Sequence, residues 1–149
     1  MIHKESHLQQ ACVKWFRLQY PTIANLLFAV PNGGARSRTE AAIMKGEGVT
    51  AGVADLLLLI ARGGFGSLAI EMKDDRKSSK QRPSQIQWQQ SAEQAGNKYE
   101  IVRTFEDFQN VVNAYLSEPA TNPEQQNPHL FRVAVICSPR QELKNISKH

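Results

Sequence analysis

Residues 52–60 read GVADLLLLI, five consecutive large aliphatics with one aspartate, Asp55, at their head. This run constrains the fold more than any other stretch. It is far shorter than the ~18–20 apolar residues of a membrane span, and turn signals bound it, so it reads as a buried strand. RGGFG (62–66) follows as a tight, hairpin-like turn, and then SLAIEMK (67–73) alternates. Leu68, Ile70 and Met72 share one face of that second strand, while Ala69, Glu71 and Lys73 share the other. Carboxylates and a lysine on segments that otherwise belong inside a sheet require an explanation.

The remaining segments supply the layers around these two strands. ESHLQQACVKWFRLQY (5–20) sets Leu8, Cys12, Trp15 and Phe16 near one helical face, with Pro21 as a stop. NLLFAV (25–30) is a short strand ended by the PNGG turn. Ser37 and Glu40 stand at capping-box spacing before a short helix. Ser84 and Gln87 stand at the same spacing before SQIQWQQSAEQAG (84–96). YEIVR (99–103) reads as a strand, and FEDFQNVVNAYL (105–116) as an amphipathic helix capped by Thr104. The expected order is α, β, α, β, β, α, β, α: an α/β fold with a small mixed central sheet flanked by helices. Residues 1–117 form the expected domain. Residues 118–149 read as a proline- and amide-rich linker and a C-terminal extension, partly disordered or with one further strand at 130–138.

With 149 residues and 41% hydrophobic content, the chain has enough for one core. Its two cysteines, Cys12 and Cys137, build neither a disulfide framework nor a four-cysteine zinc site, so a reduced, cytoplasmic setting is expected. The charged start MIHKESHLQQ does not read as a signal peptide. A net charge of +4 permits a nucleic-acid partner without requiring one. The cations are clustered, with Arg36 and Arg38 beside glycines and Arg76, Lys77, Lys80 and Arg82 in RKSSKQR, a distribution that suits phosphate contacts or two solvated loops.

Burying an isolated carboxylate is costly, and a divalent cation is one standard compensation. Asp55 and Glu71 lie on strands joined by a short turn, so pairing of those strands brings the two acids together. Period-2 geometry puts Lys73 on the Glu71 face. Such a site suits Mg²⁺ and a water aimed at a phosphodiester. The plainer alternative is an aspartate at a strand entrance and a surface Glu–Lys ladder.

Taken together, VPNGGARSRTEAAIMKGEGVTAGVADLLLL, LAIEMK and RPSQIQWQQSAEQAGNKYEIVRTFEDFQNVVNAYL resemble the VRR-NUC family. That family is the virus-type replication-repair branch of the PD-(D/E)XK nucleases, with a restriction-endonuclease-like core. The resemblance covers roughly residues 1–117. It implies that Asp55, Glu71 and the Met72 backbone carbonyl ligate Mg²⁺ or Mn²⁺, one or two ions per site, with Glu5 of the first helix in support. Lys73 would orient the attacking water or stabilise developing charge, and Gln87, as the helix-start glutamine, would hold Lys73 or the phosphate. Asn32, Arg36, Arg38, Arg76, Lys77, Lys80 and Arg82 are the expected DNA contacts. One departure is Ala54, where the family has proline before the aspartate; that proline shapes backbone and supplies no ligand.

The function these readings imply is a metal-dependent DNA endonuclease acting on branched DNA, a four-way (Holliday) junction cut by a homodimer, in a bacterial or bacteriophage-infected cytoplasm. A flap or nicking nuclease is the alternative, and a non-catalytic nucleic-acid-binding module is the alternative from another class. His3 and His7 flank Glu5 but lack the zinc-protease order, in which the acid directly follows the first histidine. Trp15 and Trp88 read as packing anchors and Cys12 as a core residue.

Overall fold

The computed structural model describes residues 4–31, 37–74 and 80–121. Within them the order expected from sequence is observed, with a 3₁₀ helix added at Pro21–Leu26. The first helix, α1 (Lys4–Gln19), stops before Pro21, whose ring cannot continue it. Strand β1 (Leu27–Ala29) follows, then α2 (Arg38–Gly46). Ser37 caps α2 by accepting from the Glu40 N–H, and the Glu40 carboxylate accepts from the Ser37 N–H at 2.9 Å. The other elements are β2 (Leu56–Leu58), β3 (Leu68–Met72), α3 (Pro83–Gln94), β4 (Lys98–Val102) and α4 (Phe105–Ser117). Thr104 caps α4 through the Asp107 N–H.

The four strands form one mixed sheet in the order β1-β2-β3-β4. β1 pairs with β2 and β2 with β3 antiparallel, and α3 carries the chain across so that β4 joins β3 in parallel. The turn between β2 and β3 needs glycine at two positions, Gly63 (φ 58°) and Gly64 (φ 86°).

Every residue of β3 is buried, because both faces of the sheet are covered. On one face, Leu68, Ile70 and Met72 join Leu56, Leu58 and Val102 against Cys12 and Phe16 of α1 and Phe108, Val112 and Tyr115 of α4. Trp15 stands edge-on to Tyr20, Phe105 and Phe108, fixing α1 to α4. On the other face a smaller cluster joins Ala54, Ala69 and Tyr99 with Leu57 and Trp88 of α3. Both tryptophans therefore pack, as their positions in sequence suggested.

The run VADLLLLIA pairs over only three residues: the backbone bends at Asp55 before them, and after them the Ile60 N–H turns back to the Leu58 carbonyl at 3.0 Å. The chain also stays engaged past residue 117: Pro119 accepts from the Gly63 N–H at 3.0 Å, and Ala120 bridges Arg62. The strand expected at 130–138 lies outside the described residues.

Candidate active site

Register brings the two carboxylates together. Leu56 pairs with Ile70 and Leu57 with Ala69, so Asp55, at the bend just before this pairing, comes to the Glu71–Met72 end of β3. Asp55 Oδ2 accepts from the Met72 N–H at 2.8 Å, which pins the side chain to the end of β3. An extended residue sends its N–H and C=O to the same edge of its strand, so the Met72 carbonyl emerges on the Asp55 side.

Glu71 is 1% exposed and Lys73 is 7% exposed, which removes the surface-ladder reading. Lys73 Nζ lies 3.1 Å from Glu71 Oε1 and donates to Gln85 Oε1 at 3.1 Å. Gln85 Nε2 in turn donates to Glu71 Oε1, closing a triangle of Glu71, Lys73 and Gln85. The second carboxylate oxygen of Glu71 accepts from the Tyr99 hydroxyl at 3.4 Å. Tyr99 also accepts from Gln81 Nε2 at 3.3 Å.

Burial raises the pKa of Asp55; the Met72 N–H and the Lys73 charge act against it. Burial also raises Glu71, and the Asp55 charge adds to the rise, while Lys73 opposes it. Tyr99 is pushed up by burial and then by the Glu71 charge, so its hydroxyl stays a donor.

Glu5, at the start of α1, accepts from the Asp74 N–H at 3.1 Å, which ties the helix to the chain just past Lys73. A groove of about 680 Å³ opens between α1 and the sheet end. Glu5, Asp55 and Met72 line it at the site, and Lys14 and Arg17 line it further along α1.

No family model matches the sequence, and no curated protein matches it. Among solved structures, a "VRR_NUC domain protein" superposes with a TM-score of 0.69 at 25% identity, covering 83% of this chain and 96% of that one. The chain folds as a VRR-NUC domain. It is thus a nuclease-type α/β core, and the mixed sheet with flanking helices agrees with the architecture expected from sequence.

In this VRR-NUC domain the two carboxylates and the Met72 carbonyl are hard oxygen donors of the kind that Mg²⁺ and Mn²⁺ accept while keeping several waters. Among the described residues, no three His, Cys, Asp or Glu side chains form a cage for an ion by themselves. These oxygens would supply only part of a cation's shell, with Asp55 and Met72 at the groove.

One expected residue is misplaced. Gln87 is exposed on α3, and its backbone carbonyl accepts from the Ser91 hydroxyl. The glutamine beside Lys73 is Gln85. The physical reason is helix phase: α3 begins at Pro83 with Arg82 as its cap, so the third helical residue is Gln85, and Gln85 Oε1 accepts from the Arg82 N–H at 2.8 Å. Pro83 at the first helical position was the available signal. Tyr99 and Gln81, which complete the support of Glu71, carried no motif.

Gly52 matters as well. Its φ is +86°, and a Cβ there would lie 2.2 Å from the Ser84 carbonyl oxygen. The loop before Asp55 therefore rests directly on the start of α3, next to Gln85. Of the expected DNA contacts, Arg38, Lys80 and Arg82 are exposed, while Asn32, Arg36, Arg76 and Lys77 lie outside the described residues. His7 is exposed on α1, and His3 lies outside the described residues.

Proposed function

We propose that this domain is a Mg²⁺- or Mn²⁺-dependent DNA endonuclease. The observation that carries the reading is Asp55 at the groove and bonded to the Met72 N–H, beside Glu71, whose carboxylate lies 3.1 Å from the Lys73 ammonium. Asp55, Glu71 and the Met72 carbonyl would hold one or two cations, with Glu5 in support at the groove edge. When bound, a divalent cation polarises the scissile phosphate and lowers the pKa of a bound water.

The chain's own residues do the rest. Gln85 fixes the amine of Lys73, and Lys73 positions the attacking water or steadies charge on the phosphate. Tyr99 holds the outer oxygen of Glu71. The sheet and α3 bury most of the Glu71–Lys73–Gln85 triangle, while Asp55 and Met72 line the groove where a strand can approach.

One such site cuts one strand, so symmetrical cutting of a four-way junction requires two copies related by a two-fold axis. We assign the domain to that structure-selective class, acting as a homodimer in a reducing cytoplasm, of a bacterium or of a phage-infected host. The buried, unpaired Cys12 suits that setting. Among the described residues no helix is long and apolar enough to cross a membrane.

The test is cleavage of labelled four-way junction, flap, single-stranded and linear duplex DNA in Mg²⁺, Mn²⁺ and EDTA, beside Lys73→Ala and Asp55→Asn. Metal-dependent cutting of branched DNA, lost in both variants, is expected. Salt-sensitive binding without cutting in either metal refutes the enzyme and leaves a binding module.

A further inference from the structure

α1 presents two i, i+4 ladders to the groove, Glu5–Gln9–Val13–Arg17 and Ser6–Gln10–Lys14–Leu18. Each ladder changes character along its length. The N-terminal end is acidic and sits at Asp55 and Met72; the middle is neutral and amide-rich; the far end carries Lys14 and Arg17. Both cations are exposed, and among the described residues neither has an acidic partner. The helix dipole favours a cation in the last turn, where Arg17 stands, but it does not call for Lys14 on the groove side as well.

We propose that this face of α1 is a phosphate track: one DNA strand lies along the groove, its scissile phosphate at Asp55 and its neighbouring phosphates on Lys14 and Arg17. The inference deepens the nuclease reading and rests on it. From Glu5 to Arg17 the helix rises about 18 Å, which spans several phosphates at the about 3.4 Å axial rise per nucleotide of a duplex strand. Negative phosphate is repelled by the carboxylate end until a cation is bound there, and it is attracted at the far end in any condition. The far end therefore anchors the strand and the near end engages it.

The contacts are point charges and amides directed at backbone, so they fix register and carry no sequence information. That suits an enzyme selecting DNA by shape. Leu18, 75% exposed, closes the track with apolar surface at the far end. None of Gln10, Lys14 or Arg17 lies in the basic loops singled out from the sequence.

The experiment measures binding of a fluorescein-labelled 30-bp duplex by anisotropy in EDTA, from 25 to 200 mM salt. Wild type is compared with the double variant Lys14→Gln/Arg17→Gln and with Lys45→Gln, an exposed cation of α2 as control. Losing two phosphate contacts lowers the slope of log K against log[salt] by about 1.8 and weakens binding on the order of 100-fold at 50 mM salt. The control keeps the wild-type slope. Circular dichroism melts verify that the exposed substitutions leave the fold intact. In Mg²⁺ the double variant raises KM and keeps kcat within about twofold. An unchanged slope overturns the track, whatever cleavage shows. A reduced slope with no cleavage by wild type in any metal overturns the nuclease reading and leaves the track standing as a binding surface.

Discussion

Replacing Asp55 by asparagine should stabilise the metal-free fold while abolishing cleavage. Asp55 enters the sheet beside the Glu71 end of β3, and its charge acts on the Glu71 carboxylate. Two unit charges about 5 Å apart repel by about 3 kcal/mol at an effective dielectric of about 20. Lys73, 3.1 Å from Glu71, offsets part of this, leaving a net relief of about 1–2 kcal/mol when one charge is removed. Asparagine keeps an oxygen for the Met72 N–H, so the contact made at 2.8 Å survives. For a domain of this size the melting temperature should rise by about 3–8 °C in EDTA.

The pH dependence carries the same sign. Burial holds both carboxyls above their ordinary pKa, and for Glu71 the Asp55 charge adds to that. The folded state then keeps protons that the unfolded chain has released. Stability from these groups is complete below about pH 4 and is lost as the pH rises through their raised folded values. The advantage of Asp55→Asn over wild type should thus be small at pH 4 and full at pH 8. Mg²⁺ should raise the wild-type melt and leave the variant's unmoved. Thermal melts of both proteins at several pH values, with EDTA or Mg²⁺, measure all of this. An Asp55→Asn protein that melts at or below wild type at pH 8 in EDTA refutes the reasoning, because the hydrogen bond rather than the charge would then dominate the position.

Three further outcomes are expected. Gln85→Ala removes an acceptor for Lys73 and for the Arg82 N–H and a donor to Glu71, so kcat should fall on the order of 10–100-fold, since hydrogen bonds to charged groups contribute about 1.5–3 kcal/mol. Gln87→Ala should leave kcat unchanged, and equal losses in side-by-side cleavage assays defeat this assignment. Gly52→Ala combines a left-handed backbone with a contact 2.2 Å from the Ser84 carbonyl oxygen, and should cost about 3 kcal/mol or more in urea unfolding. Gly48→Ala, with φ +97° and nothing within 4 Å, should cost only the backbone strain of about 1–2 kcal/mol; similar costs at both positions mean that the loop does not rest on α3. Burial pushes the Cys12 thiol up to about 12, so in a Cys137→Ser protein it should resist a thiol reagent at pH 8 until denaturant is added; prompt labelling contradicts its burial.

Much of the fold was legible because each element carries its own punctuation. Pro21 stops α1, the Ser37–Glu40 box opens α2, Thr104 opens α4, and the glycines after β2 force the return into β3. The extent of β2 was less legible, since five aliphatics in a row look the same whether three or nine residues pair. What shortens the strand is the bend at Asp55, held by the bond to Met72, at one end and the turn of the Ile60 N–H back to Leu58 at the other. The engagement of residues 119–121 with the turn after β2 is likewise long-range and has no local signal.

The site divides along the same line. Glu71 and Lys73 could be set on one face because a strand's period is two, and a short turn between the strands brings Asp55 to the end of β3. A helix offers no such protection: residues two apart point about 200° away from each other, and an error of two positions at the start exchanges buried for exposed. SQIQWQ places glutamines at 85 and 87, so composition cannot choose between them. The choice is made by Pro83, which starts the helix a residue before Ser84, and by Gly52, whose missing side chain lets the Asp55 loop press that first turn into the sheet. Gln85 is thereby buried against Glu71 and Lys73, and its amide meets an acceptor on one and a donor on the other. A glutamine suits this place because it offers both in one planar group; a carboxylate would add a third negative charge to a site already short of positive ones.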